Sequence, residues 1–395
     1  MIKRKKKNKE HNPFYDPTLK KRHLSAKRFK KFTLTSLIFS VAFLAFFLFD
    51  MIGKGIPAFN IAYIKTDVTF NEKTLEDTRF AVPTEYRNLV SRAALRDLPK
   101  LLEENPTYMN STQNIWILAS SQVDQYIKNH NHNLKDKDIA KVDELYAQGL
   151  IDKKFNAIFF ENGDSKIPEY AGIFSAVIGS ILTLIITMAV AFPIGVMTAI
   201  YLEEFALDNK FTRFIEININ NLAAIPSILF GLLGLAIFIN LFGMPRSSPL
   251  VGGLTLALMT LPIIIVSSRA ALRAVPDSIR QAGYGLGLNK IQVTKDHVLP
   301  LAFPGIMTGS IIGLAQAMGE TAPLIIIGMI AFIPDAPSMV TQAATVMPAQ
   351  LFTWAGMPEG MYIEKTAAGI LVLLTILISL NAIAIYLRKK FEVKW

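Results

Sequence analysis

The chain contains no cysteine in 395 residues. Disulfides, a thiol nucleophile and thiolate metal ligands are thereby excluded. It also lacks the Gly-x-x-x-x-Gly-Lys-Ser/Thr loop that cradles ATP phosphates. Gly283, Gly285 and Gly287 imitate a glycine-rich loop, but no Lys-Ser/Thr follows them and no strand precedes them. Histidine is rare, with five copies. His130 and His132 stand in Asn-His-Asn-His with no third ligand nearby, which reads as a solvated turn, so no metal site is expected. No metal triad, nucleophile elbow or pair of catalytic carboxylates supports a membrane enzyme. The chain is therefore expected to hold no catalytic residue and no cofactor of its own. Charge is scarce as well: 18% of residues carry it, against about 25% in soluble domains.

The charge that exists is concentrated. The net charge is +10, and residues 1–31 hold 13 Lys and Arg against only Glu10 and Asp16. This basic tail fixes orientation by staying on the cytoplasmic side, where anionic lipid headgroups are a natural contact. No folded basic face accompanies it, so nucleic acid is not an expected partner.

What is abundant is apolar sequence, 51% of the chain with mean hydropathy +0.36. A soluble protein could not hide that much apolar surface. Six runs have the length of membrane spans. The first, 32–53, reads as an uncleaved anchor with its N-terminus inside. The others are Ala171–Leu202, Phe214–Leu241, Val251–Ser268, Leu301 to about Phe332, and Thr366–Leu387. Pro226 interrupts the third and Pro262 the fourth. Lys and Arg flank both termini and the 270–300 segment, which places all three in the cytoplasm.

Residues 54–170 are a different material, with 15 Lys and Arg, 17 Asp and Glu, and periodic apolar residues. Ile61–Phe70 alternates as a strand, and Phe155–Phe160 reads as a second. Glu85–Leu102, Thr112–Ile127 and Lys137–Leu150 recur at helical spacing. Together they make a small α+β domain on the outer side of the membrane. The predicted domains are thus the tail, the first span, this outer domain, and a core over 171–395 with five spans.

Three features of that core invite function. In the fifth span Gly305, Gly309 and Gly313 repeat as small residues one turn apart, inviting close helix packing. Gln316 and Glu320 follow on a neighbouring face. Glu320 is the carboxylate set deepest in a predicted span, which marks it for gating, structural pairing or substrate contact. The third feature is the segment 270–300. Asp277 and Ser278 follow Pro276 as N-cap and early-turn residues of a short helix. Leu272, Val275, Ile279, Leu286, Leu288, Ile291, Val293 and Val298 give an apolar face, and Leu299-Pro300 opens the next span.

That segment resembles the coupling loop of ABC-importer permeases. Gln281, Ala282 and Gly283 occupy the family's Glu-Ala-Ala triplet, Gly287 is its glycine, and Leu299-Pro300 closes it. Gln281 removes the family carboxylate, and Gly283 replaces the second alanine. Gly319-Glu320-Thr321-Ala322-Pro323-Leu324, with Ile225-Pro226-Ser227-Ile228, Gly231-Leu232 and Tyr201-Leu202-x-Glu204, is similar to phosphate ABC-transporter permeases of the PstA type. The resemblance implies an all-α polytopic membrane protein of six transmembrane helices, with type I ABC importer architecture and an added α+β extracytoplasmic domain. It implies a multi-pass protein of the bacterial inner membrane that pairs with a sister permease. It also implies a cytoplasmic ATPase dimer carrying the ATP and Mg, and a periplasmic phosphate-binding protein. Asp277, Arg280, Gln281, Ala282, Gly283, Gly287, Leu299 and Pro300 would engage the ATPase. Gln316, Glu320, Thr321, Pro226 and Ser227 would line or gate the path. Family members often carry Arg where Gln316 stands, so positive charge for phosphate must come from elsewhere. A permease for sulfate, molybdate or phosphonate, and a membrane sensor using the outer domain, remain open alternatives.

Overall fold

Length and composition select the helices that build the molecule. A computed structural model describes residues 18–330 and 332–391. Most of the basic tail, 1–17, and the C-terminal lysine Lys394 lie outside the described residues. The chain divides into two compact units, one ending at Gly53 and the other running over Lys54–Trp395. Among the described residues, five helices are long and apolar enough to cross a membrane, and six if one bent pair counts as a single span.

The first is α1, Leu19–Gly55. It continues back through Lys31 to Leu19, so part of the expected basic tail is helical. Its Phe39, Phe43 and Phe46 are 72%, 64% and 71% exposed, as suits a surface facing lipid tails.

Residues 54–170 form a three-stranded antiparallel sheet covered by short helices. The strands are β1, Asn60–Phe70, β2, Ser111–Leu118, and β3, Ile151–Phe155, in the order β2-β1-β3. Ile64 pairs with Ile117 on one side and Ile151 on the other. These side chains share a buried core with Val68, Leu95, Val142 and Leu145. Three expectations are corrected. In the Glu85–Leu102 stretch helix begins only at Arg92. Ser111–Leu118 is a strand, and only Ser121–Ile127 is helical. Helical spacing of apolar residues there is outweighed by Ile115, Trp116 and Ile117, whose branched and aromatic side chains fit a paired strand. Further on, Ala157–Glu161 is a helix capped by Asn156, so the strand at Phe155–Phe160 ends where it was expected to start.

The core includes the helices α2, Phe174–Ile200, α3, Lys210–Leu222, α4, Ser227–Gly234, α5, Pro249–Arg273, α6, Asp277–Gly285, α7, Leu299–Gly319, α8, Ala322–Ile326, and α9, Gly360–Phe391, of which α6 and α8 are too short to span a membrane. Small residues set how closely they pack. A Cβ on Gly253 would stand 2.6 Å from Ile186 and 2.8 Å from the Thr183 carbonyl, so α5 lies against α2 there. Thr187 Oγ1 donates to the Gly253 carbonyl at 3.2 Å.

Three details of the span assignment change, while the interruption expected at Pro226 is present as a sharp bend. α5 runs unbroken through Pro262. The third span is two helices bent by 104° around Ala223–Pro226, because Pro226 cannot donate to the turn before it. The fifth helix begins earlier than Leu299-Pro300: a 30-residue helix runs Lys290–Gly319 through a wide π turn at Val293–Val298. The wider turn gives the Pro300 ring room that a regular α turn would deny. That helix stops at Gly319 instead of continuing to Phe332.

Residues 54–170 and the head of α9 are joined through buried polar groups. Glu364 accepts from Gln125 at 2.6 Å and Lys128 at 3.1 Å, and His130 also contacts it. His130 is therefore held by a carboxylate rather than standing in a solvated turn. Lys365 is 1% exposed and donates to the carbonyls of Glu169 and Ala171. A charge at the head of an apolar run was the signal that could have found this junction.

Candidate functional site

The expected site residues fall into two groups at different levels of the fold. The first surrounds two helix breaks. Pro226 precedes α4 with φ −54° and ψ 135°, outside the helical region, and Glu320 ends α7 in an extended conformation. Gly231 brings the breaks together: a Cβ there would lie 2.7 Å from Pro323 Cα and 2.9 Å from its carbonyl oxygen. Ile225, Phe230, Ala317, Met318 and Leu324 seal the contact in one apolar cluster. The Ile-Pro-Ser-Ile and Gly-Glu-Thr-Ala-Pro-Leu stretches are thus neighbours in space.

Around that junction Ser227, Glu320 and Thr321 are half-buried, while Pro226 and Gln316 are exposed. Among the described residues, the side chains of Ser227, Gln316, Glu320 and Thr321 make no hydrogen bond or ion pair. Glu320 is not one of a pair with Gln316 on a continuous helix face. It steps off the helix as its C-cap, its N–H donating to the Ala317 carbonyl at 3.3 Å. No group of three or more His, Asp or Glu side chains among the described residues is placed to hold a metal.

The glycines of α7 face α5. A Cβ on Gly305 would meet Ala271 at 2.6 Å, and one on Gly309 would meet Ser267 Oγ at 1.9 Å. Gly313 has room, its nearest neighbour being Ile264 at 3.5 Å.

The second group is the segment between α5 and α7. Pro276, not Asp277, is the N-cap residue of α6; Asp277 is its first helical residue. The helix closes with paired bonds from Gly287 N–H to Tyr284 and from Leu288 N–H to Gly283. That closure needs a left-handed residue, and Gly287 has φ +82°. Asn289 and Gln292 then form a reciprocal cap that starts the next helix. Gly283 is buried against Val293, where a Cβ would come within 2.8 Å. A second alanine of the family triplet would not fit here without a shift.

The apolar face of this segment is divided. Leu272, Val275, Val293 and Val298 are buried under it. Tyr284, Leu286 and Ile291 point outward, 44%, 79% and 65% exposed. Gln281 and Ala282 are exposed as well.

Beneath lies an ion network that the loop spacing did not disclose. Arg280 donates to Glu204 at 2.7 Å and to the carbonyls of Leu272 and Val275 at 3.0 and 2.7 Å. Arg273 donates to Glu203 at 2.8 Å, and Arg269 reaches both Glu203 and Glu216. The Glu204 carboxylate holds the Arg280 guanidinium still higher than its ordinary value. Charges at the ends of separate predicted spans were the available signal for this network.

Residues 191–393 match the family described as binding-protein-dependent transport system inner membrane component. The chain belongs to that family. Residues 16–85 and 81–136 match a second family, described as a domain of unknown function, DUF3333. The phosphate transport system permease protein PstA of Yersinia pestis is 30% identical over 61% of this chain and 81% of its own length. PstA of Mycobacterium leprae is 36% identical over 40% of this chain and 52% of its own length. The probable ABC transporter permease YqgI of Bacillus subtilis is 34% identical over 42% and 56%. Within the family the chain is of the PstA type. It spans about half the length of the first curated relatives it matches. An inward-facing MetNI methionine ABC transporter matches 56% of this chain and 95% of its own at 14% identity, with TM-score 0.43.

Proposed function

We propose that this chain is a permease subunit of an ATP-driven phosphate importer. It forms the translocation path with a sister permease and transmits the work of a cytoplasmic ATPase dimer, which carries the ATP and Mg. A periplasmic phosphate-binding protein delivers the substrate. The chain itself performs no chemistry. In this reading both termini and the 270–300 segment lie in the cytoplasm, and residues 54–170 lie outside.

The observation that carries the reading is the construction of the 270–300 segment. It exposes Tyr284, Leu286 and Ile291 around the left-handed Gly287, while Arg280 and Arg273 anchor it to Glu204 and Glu203 at the end of α2. An apolar tip on a braced base suits a part that a partner pushes. The brace passes that push to α2 and α5, and α5 bears on α7 through Gly305 and Gly309. At the far end of α7 are Glu320 and Thr321, beside the break at Pro226-Ser227. Rocking of these helices would open the path alternately to each side. Relatives named for phosphate transport support phosphate as the substrate.

ATP-driven uptake of labelled phosphate into vesicles containing the chain and its co-purifying partners tests the proposal. Uptake that requires ATP and resists excess sulfate and molybdate is expected. Uptake blocked by another oxyanion would overturn the substrate, and absence of ATP-dependent uptake would overturn the transport role.

A further inference from the structure

Among the described residues, three arginines of the sheet-bearing segment, Arg87, Arg92 and Arg96, form no ion pair with a carboxylate. Arg92 and Arg96 are one turn apart on the short helix Arg92–Arg96, and both are exposed. Arg87 stacks over Phe80, 4.7 Å from the ring centre. Its Nε is buried and has no hydrogen-bond partner among the described residues. The three arginines, with Asn88, line two cavities of about 630 and 600 Å³. Lys135 and Lys166 line the larger one too, against Asp138 and Glu169. In the smaller, the single carboxylate is Asp77, already engaged by Arg79 at 2.6 Å.

The arrangement is unfavourable when empty. Like charges one helical turn apart repel, and a buried donor left unmet is destabilising. A multivalent anion between the guanidinium groups relieves the repulsion. The planar guanidinium fork matches the paired oxygens of a phosphate group, and three forks with neutral donors at Asn88 and Ser121 suit its tetrahedral shape. Cavities of this size accept more than a bare ion.

We propose that Arg87, Arg92 and Arg96 form a binding site for a phosphate group, free or carried on a small ester, in the sheet-bearing segment. The site is separate from the helix breaks at Pro226 and Glu320 and does not depend on the transport reading.

The test uses the full chain in nanodiscs of phosphatidylcholine, without ATPase or binding protein. Equilibrium dialysis with labelled inorganic phosphate should show a saturable site whose affinity falls about tenfold or more in Arg92→Gln/Arg96→Gln. Both side chains are exposed, so the variant's unfolding temperature without phosphate should match the wild type. Phosphate should raise that temperature in the wild type and not in the variant. Arg87→Lys, which keeps charge and loses the fork, should also bind more weakly. Displacement by glycerol phosphate would assign the ester, and its failure would assign free phosphate. Unchanged binding in the double variant would overturn the proposal, as would equal displacement by chloride at matched ionic strength. Failure of ATP-driven uptake would leave this binding result intact.

Discussion

Arg280 reaches back 76 residues to Glu204 and donates to its carboxylate at 2.7 Å. The two side chains are 16% and 4% exposed, so the pair is mostly desolvated. Removing one partner of such a pair costs about 3–5 kcal/mol, because the other charge is left buried. Glu204→Ala should therefore lower the unfolding free energy in detergent by that amount. Replacing both, as Glu204→Gln with Arg280→Met, should recover most of the loss. An additive loss in the double variant would show that the two residues act separately.

The spans were largely legible because hydropathy reports length directly. Of their two expected interruptions, only the one at Pro226 is real. Pro226 and Pro262 look alike in sequence, yet one bends the chain and the other rides inside α5, which depends on what packs around each ring. The glycine ladder of α7 announced a close contact, but only the fold shows that its partner is α5 at Ala271 and Ser267. Around the 270–300 segment the motif located Gly287, while the brace of Glu203, Glu204 and Arg269 joins residues too distant in sequence for spacing to reveal. The same limit hid Glu364 and Lys365, whose partners lie more than a hundred positions upstream.

Close packing at Gly309 gives a graded test. A Cβ there would sit 1.9 Å from Ser267 Oγ, whereas one on Gly313 would meet its nearest atom at 3.5 Å. Gly309→Ala should destabilise the chain by about 1–3 kcal/mol through overpacking, and Gly313→Ala should be nearly neutral. Ser267→Gly in the same chain should restore part of the Gly309→Ala loss. The coupling is read from a double-mutant cycle of unfolding free energies.

Asp164 gives a pH dependence with a definite sign. Burial pushes its carboxyl above the ordinary range, although Trp354 Nε1 and the Ser165 N–H both donate to it. The folded protein therefore holds the Asp164 proton more tightly than the unfolded chain does. This contribution to stability is complete below about pH 4, the ordinary carboxyl value, and fades as pH rises through the folded value. Asp164→Asn should remove that slope, so the thermal unfolding profiles of wild type and variant should diverge as the pH rises above the ordinary carboxyl value of about 4. Parallel profiles would mean that Asp164 titrates alike in both states.

Gly287 separates backbone strain from lost surface. Nothing lies within 4 Å of a Cβ placed there, but its φ of +82° belongs to the left-handed region. Gly287→Ala should thus cost about 1 kcal/mol through strain alone, and a β-branched Gly287→Val more. Leu286→Asp leaves the backbone unstrained and changes a side chain that is 79% exposed, so unfolding should shift little. If the exposed tip is where the ATPase docks, Leu286→Asp should still abolish ATP-driven uptake and reduce the ATPase that co-purifies. Gly287→Asp adds charge at the same tip and should act likewise, with the chain remaining in the membrane. Wild-type uptake in both aspartate variants would remove the 270–300 segment from the coupling path, because an apolar docking surface cannot accept two buried charges without loss.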